Sequence, residues 1–170
     1  MKLTKVQGNK IEDSSYLRSY LEFQKISPNS PTDSHAHNIM RYYVARAFDK
    51  NGFQDISVQT EFVDKNTGLS FLFDVAAVDN NNYNYYALCF PGSLTEKDIA
   101  VLELLADLED GKVILVFSNL VSTESLRRKF KLYFENGLFQ IKTMVLPPFN
   151  DLYEYDIWMF EAIFGDIKNK

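Results

Sequence analysis

The segment FLFDVAAV (71–78) sets one acid, Asp74, inside an otherwise apolar strand pattern. An acid in that position is part of a catalytic site, the relic of one, or an edge residue paired with a nearby base. Other residues of chemical interest are sparse. SHAH (34–37) holds His35 and His37 two positions apart. On a helix they point about 200° from one another, so they do not share a metal and read as polar residues at a helix start. Cys89 lies in an apolar run, which suits a buried inert thiol rather than a nucleophile. LRRKFKLYF (126–134) is the main basic cluster, with Arg127, Arg128, Lys129 and Lys131. Arg127 and Lys131 are four apart, on one face of a helix, and such a face either neutralises phosphates or is a solvated surface balanced by Glu124 and Glu135. Arg41 and Arg46 present the same choice between phosphate contacts and surface pairs. There is no Walker loop, GxGxxG motif or nucleophile-elbow glycine pattern.

The elements that must position these residues follow from periodicity. EDSSYLRSYLEFQKI (12–26) has helical spacing, and SPNSPTDS (27–34) ends it as a loop. HNIMRYYVARAFDKNG predicts a second helix with a stripe of Ile39, Met40, Tyr43, Val44, Ala47 and Phe48, closed by Gly52. The period then changes to alternation: Ile56, Val58, Thr60 and Phe62 share one strand face, and Ser57, Gln59 and Glu61 the other. DKNTG and DNNNYN separate this strand from LSFLFDVAAV (69–78) and YYALCF (85–90), giving an antiparallel meander. SLTEKDIAVLELLADLEDG predicts a helix with Ser93 and Glu96 at capping-box spacing and Gly111 at its end. KVILVFS (112–118) is apolar throughout, as a strand buried on both faces and paired in parallel would be. A capped helix (122–137), a strand (139–146), a Pro-Pro break and an aromatic-rich helix (150–166) complete the chain. The expectation is an α/β fold: a mixed sheet of about five strands, a meander plus a strand–helix–strand unit, with helices on both faces. The 170 residues read as a single domain with its core in 35–146.

Composition sets the outer limits. Apolar residues make up 46%, with 14 Phe and 10 Tyr, which excludes a disordered chain. A net charge of −5 argues against a uniformly basic nucleic-acid coat. One cysteine permits no internal disulfide, so the expected setting is cytoplasmic, and no run approaches a membrane span.

The element order, with Asp74 on the second meander strand, resembles the core of the restriction-endonuclease-like superfamily, the PD-(D/E)XK nucleases. The resemblance covers roughly residues 35–146 and lies in layout more than in motif. It implies a site in which the leading helix often offers a Glu, the second strand an Asp and the third strand Glu-X-Lys. The carboxylates hold magnesium or manganese beside the scissile phosphate, and the Lys orients the attacking water. Here Asp74 matches the Asp. Asn38 falls near the helix Glu, and Leu88 and Phe90 stand where Glu-X-Lys belongs. The resemblance therefore implies a largely eroded metal site, in a protein acting by nucleic-acid binding or as an assembly component. If the chain is active, Asp74 and Glu61 are the expected metal ligands and Lys97 the relocated cation, with Glu96 and Glu103 nearby. Arg127, Arg128 and Lys131 are then the candidate contacts to DNA or another nucleic acid. The C-terminal LYEYDIWMFEAIF (152–164) is apolar on more than one face, which fits a homodimer or a groove of its own domain.

Overall fold

The computed structural model describes residues 1–28, 34–118 and 121–144. The expected C-terminal helix (150–166), the prolines at 147–148 and the last two residues of the expected strand 139–146 lie outside these. The described chain runs β1 (Thr4–Lys10), a 3-10 turn (Ser14–Leu17), α1 (Tyr20–Phe23), α2 (His35–Lys50), β2 (Gln54–Val63), β3 (Ser70–Val78), β4 (Asn84–Phe90), α3 (Glu96–Leu105), β5 (Gly111–Ser118), α4 (Glu124–Lys129), α5 (Lys131–Glu135) and β6 (Phe139–Met144). The strands form one mixed sheet in the order β1-β2-β3-β4-β5-β6. β1 to β4 are antiparallel, and β4, β5 and β6 are parallel. The α/β reading with helices on both faces holds. No helix among the described residues is long and apolar enough to cross a membrane.

Two apolar clusters sandwich the sheet. One lies under α2 and gathers Ile39, Met40, Tyr43, Val44, Phe48, Ile56, Val58, Val75, Ala87, Cys89 and Ile114. The other lies under α3 and α4 and gathers Phe62, Phe73, Tyr86, Leu102, Leu105, Leu115, Phe117, Leu126 and Phe139. β5 contributes to both, as its continuous apolar run requires.

Several elements depart from expectation. β1 is a sixth strand at the sheet edge, and all seven of its residues are exposed. Only Val6 in TKVQGNK is a large apolar residue, so pairing with β2 holds the strand and no burial pattern announces it. The expected helix 12–26 is two short pieces. Asp13 caps the first by accepting from Ser15 N–H, and Ser19 starts the second by accepting from Glu22 N–H. The helix expected over 122–137 breaks at Phe130 (φ −110°, ψ 29°), whose ring is buried against Phe139 at 5.6 Å between centroids. The capping box before α3 is Thr95 with Asp98, not Ser93 with Glu96, and Gly111 opens β5.

In β2 the expected alternation fails in the middle. Gln59 has φ 48°, and the register with β1 shifts between Glu61 and Val58. Ile56 and Val58 consequently pack under α2, whereas Phe62 packs under α3. The same irregularity lets Thr60 Oγ1 donate to Ser57 Oγ at 2.8 Å, three residues away.

α2 is buried from Asn38 to Phe48 without interruption, rather than along one stripe. The segment 14–27 wraps its outer side, where Tyr20 and Phe23 pack on Tyr42 with centroids 5.7 and 5.4 Å apart. Arg46 is therefore not a surface residue. Its Nη1 donates to the Leu17 carbonyl and to Tyr42 Oη, and the guanidinium sits over the Tyr42 ring.

Candidate functional site

β3 and β4 pair from Val78↔Asn84 to Val75↔Ala87, where the register ends. β4 continues to Phe90 against β5, while β3 extends back toward Ser70 against β2. Asp74 sits where the two strands part. Its Oδ2 accepts from Cys89 N–H at 2.7 Å, so the side chain satisfies a backbone donor that no β3 carbonyl reaches. Its Oδ1 accepts from Arg41 Nε at 2.8 Å, and His37 Nε2 lies 2.8 Å from the same oxygen. His37 and Arg41 are one turn apart on α2, which puts both on the face turned to the sheet. Arg41 Nη1 also reaches Asn38 Oδ1 at 3.4 Å.

Asn38 turns the other way. Its Nδ2 donates to the Ser27 carbonyl at 2.6 Å and to Tyr20 Oη at 3.3 Å, and its Oδ1 accepts from Ser27 Oγ at 2.9 Å. It ties the N-terminal wrap to α2. Ser27 Oγ also approaches Gln59 Oε1 at 3.3 Å, linking the irregular middle of β2 to the same network.

Burial pushes the Asp74 carboxyl upward, but the His37 hydrogen bond and charge, the Arg41 charge and the Cys89 N–H together hold it below the usual carboxylate range. It is an anion beside the Arg41 guanidinium. Burial drives the Cys89 thiol well above its ordinary value, the Asp74 charge adds to that, and Arg41 offsets part of it. The thiol stays protonated, as an inert core group does.

The structure brings Arg41 and His37 to Asp74, and leaves the other sequence candidates with other partners. Glu61 accepts from Ser70 Oγ at 2.9 Å and Gln7 Nε2 at 3.2 Å, and among the described residues shares no partner with Asp74. Lys97 is exposed on α3, a helix that packs against the sheet face opposite α2. Glu103 pairs with Lys129 at 3.1 Å. Leu88 and Phe90 are not the third-strand residues on the Asp74 side. They pack with the α3 cluster, Phe90 stacking on Phe117 at 5.0 Å, while Ala87 and Cys89 face α2. Neither Ala87 nor a protonated Cys89 supplies a hard oxygen ligand or a cation. Among the described residues no three or more His, Cys, Asp or Glu side chains cluster as metal ligands. Magnesium needs oxygen donors, and the oxygens of Asp74 point at a guanidinium, an imidazole and an amide. This donor set does not fit the metal.

The basic cluster is exposed but internally matched. Arg128 lies 3.9 Å from Glu124 and Lys131 3.8 Å from Glu135, and Arg127 sits over the Phe134 ring. The break at Phe130 places Arg127 and Lys131 on separate helices, not on one continuous face.

The Asp74 partners had a partial signal in the sequence: His37 and Arg41 stand four apart on the helix that leads into the meander. Reading each beside its nearest like residue, His35 or Arg46, concealed it.

No protein-family profile matches the chain, and no curated protein does. Among solved structures the chain is similar to Can2 from Sulfobacillus thermosulfidooxidans in complex with cyclic tetra-adenylate (cA4), at 13% identity and a TM-score of 0.43. The likeness covers 72% of this chain and 37% of that one, so this chain spans little more than a third of its length.

Asp74→Ala removes the buried carboxylate that Arg41 Nε, His37 and the Cys89 N–H share, and we expect a loss of roughly 3–5 kcal/mol of unfolding free energy in urea titrations. A loss below about 1 kcal/mol, the range of exposed pairs, would show that the cluster is not structural. Because the folded carboxyl is depressed, its contribution is fully present above the ordinary value of 3.8 and disappears as pH falls through the lower folded value. The gap between wild type and Asp74→Ala should narrow in that acid window.

Proposed function

We propose that the chain is a nuclease-like scaffold, related in layout to the PD-(D/E)XK enzymes, whose metal site has become an internal ion-pair cluster and which acts by binding rather than by hydrolysis. The observation that supports this is the Asp74 carboxylate. It stands where the sheet opens, as the metal-binding Asp would, yet its oxygens are taken up by Arg41, His37 and Cys89 N–H. The order from α2 through β6 supports the same kinship. No cleavage of plasmid or oligonucleotide should appear above background with magnesium or manganese. Robust metal-dependent cleavage that vanishes in Asp74→Ala would overturn the reading.

As an assembly component the protein would pair with a second copy through residues 152–164, whose apolar side chains exceed what one buried stripe uses. Light scattering should give a dimer mass that falls to the monomer in Trp158→Glu. A monomeric wild type at micromolar concentration removes the dimer.

The second reading is nucleic-acid binding through Arg127, Arg128 and Lys131, favoured by their exposure. With Glu103, Glu124 and Glu135 beside them and a net charge of −5, such binding is weak and electrostatic. Affinity should fall steeply with salt and drop further in the Arg127→Ala/Arg128→Ala double variant. Unchanged affinity in that variant excludes this surface.

A further inference from the structure

The parallel half of the sheet opens into a groove at the carboxyl ends of β4 and β5. It holds about 340 Å³ between the start of α3 and α4. Leu94, Ile99, Val121 and Leu126 form its apolar lining, and Ser122, Ser125 and Lys129 stand exposed at its rim. Leu126 is buried, but Leu94, Ile99 and Val121 are only half-buried where they pack on the α3 cluster. Apolar surface left open in a concave site gains by taking an apolar side chain from elsewhere.

The chain itself has such a segment within reach. Met144 ends β6 in register with Ser118, the last residue of β5, and β5 runs parallel to β4 on its other side. The three strands therefore finish at one edge of the sheet, the edge at which the groove opens. Neighbouring strands lie about 5 Å apart, and the connection 145–151 can extend to about 25 Å. That is enough to carry residue 152 across β5 and β4.

The sequence beyond that point suits the groove. At helical spacing Tyr155, Trp158, Met159 and Ile163 share one face of 152–164, and Tyr153, Ile157, Phe160 and Phe164 share another. Glu154 and Glu161 flank Trp158, four residues before it and three after. Lys129 offers the opposite charge at the rim, held there only by an exposed pair with Glu103 at 3.1 Å.

We propose that the groove between α3 and α4 receives the chain's own segment 152–164, with Trp158 as the anchoring side chain and Glu154 and Glu161 beside Lys129. The short tether favours the chain's own segment over that of another molecule, because it raises the local concentration to the millimolar range. Docking of this kind is independent of the dimer proposed above. It leaves Tyr153, Ile157, Phe160 and Phe164 outward, as the face a second copy would meet.

Trp158 is the one tryptophan of the chain, so the fluorescence of the full-length protein reports the anchor alone. Acrylamide quenching is measured with light scattering on the same samples, at dilutions that give a monomer mass. Phe160→Glu, on the outward face, supplies a monomer where dilution does not. The monomer should show blue-shifted emission and quenching well below that of the urea-unfolded chain. Ser122→Glu/Ser125→Glu puts two carboxylates at the rim and should raise quenching toward the unfolded value. Lys129→Glu should move it the same way, and it decides alone if the double variant lacks a dispersed amide spectrum. Free quenching in the folded monomer, shielding that appears only in the dimer, or shielding unchanged in a folded rim variant would overturn the docking. A shielded Trp158 in a monomeric wild type would sink the dimer and keep the groove, whereas a dimer whose Trp158 ignores the rim variants would do the reverse.

Discussion

A carboxylate taken from water into the gap between a helix and a dividing sheet is tolerated only if positive charge and hydrogen-bond donors meet it there. Asp74 imposes that demand, and three parts of the molecule answer it. α2 must present Arg41 and His37 on the turn facing the sheet, and β4 must run past Asp74 with the Cys89 N–H free. The split between β3 and β4 and the placement of α2 are thus one arrangement. Moving the helix by a turn would leave a buried anion on one side and a buried guanidinium on the other.

The same helix explains the N-terminal wrap. With its sheet side given to the ion pair and the apolar cluster, α2 still has Tyr42, Arg46 and Asn38 on other faces. Residues 14–27 bury them through Tyr20, Phe23, the Leu17 carbonyl and Ser27. Asn38 and Arg46 make contacts a surface helix would have no use for. The wrap completes the core, and its hydrogen bonds fix the outer side of the helix whose inner side fixes Asp74.

Much of this was legible from the residues and some was not. The meander, the buried β5 and the α/β class follow from periodicity and turn chemistry, because those elements bury a patterned face. β1 escaped because an edge strand with no buried side chain has no pattern to read. The faces of β2 were misassigned because alternation assumes an unbroken pleat, and the positive φ at Gln59 reverses it. Asp74 was visible as an acid out of place, but its partners were not. Spacing shows that His37 and Arg41 share a helix face, while only packing shows that the face meets Asp74. Lys97 and Glu61 were drawn to the site by their charge, a property that says nothing about which side of a sheet an element occupies.

The strand order has a consequence for how the chain folds. Each strand lies beside its successor in sequence, from the first to the last. The ladders from β2 to β5 therefore each close across a turn or a single helix and the β5–β6 ladder across α4 and α5, while the β1–β2 ladder alone waits for the long connection over residues 11–53. From β2 to β6 loop-closure entropy is met in small successive steps, so the sheet can grow outward from the β2–β4 meander through β5 and β6, with the edge strand β1 added across its long connection. In that sequence of events the link between α2 and Asp74 joins elements already held close by the short connection from Lys50 to Gln54, so the charged contact locks a preformed neighbourhood instead of having to search for it.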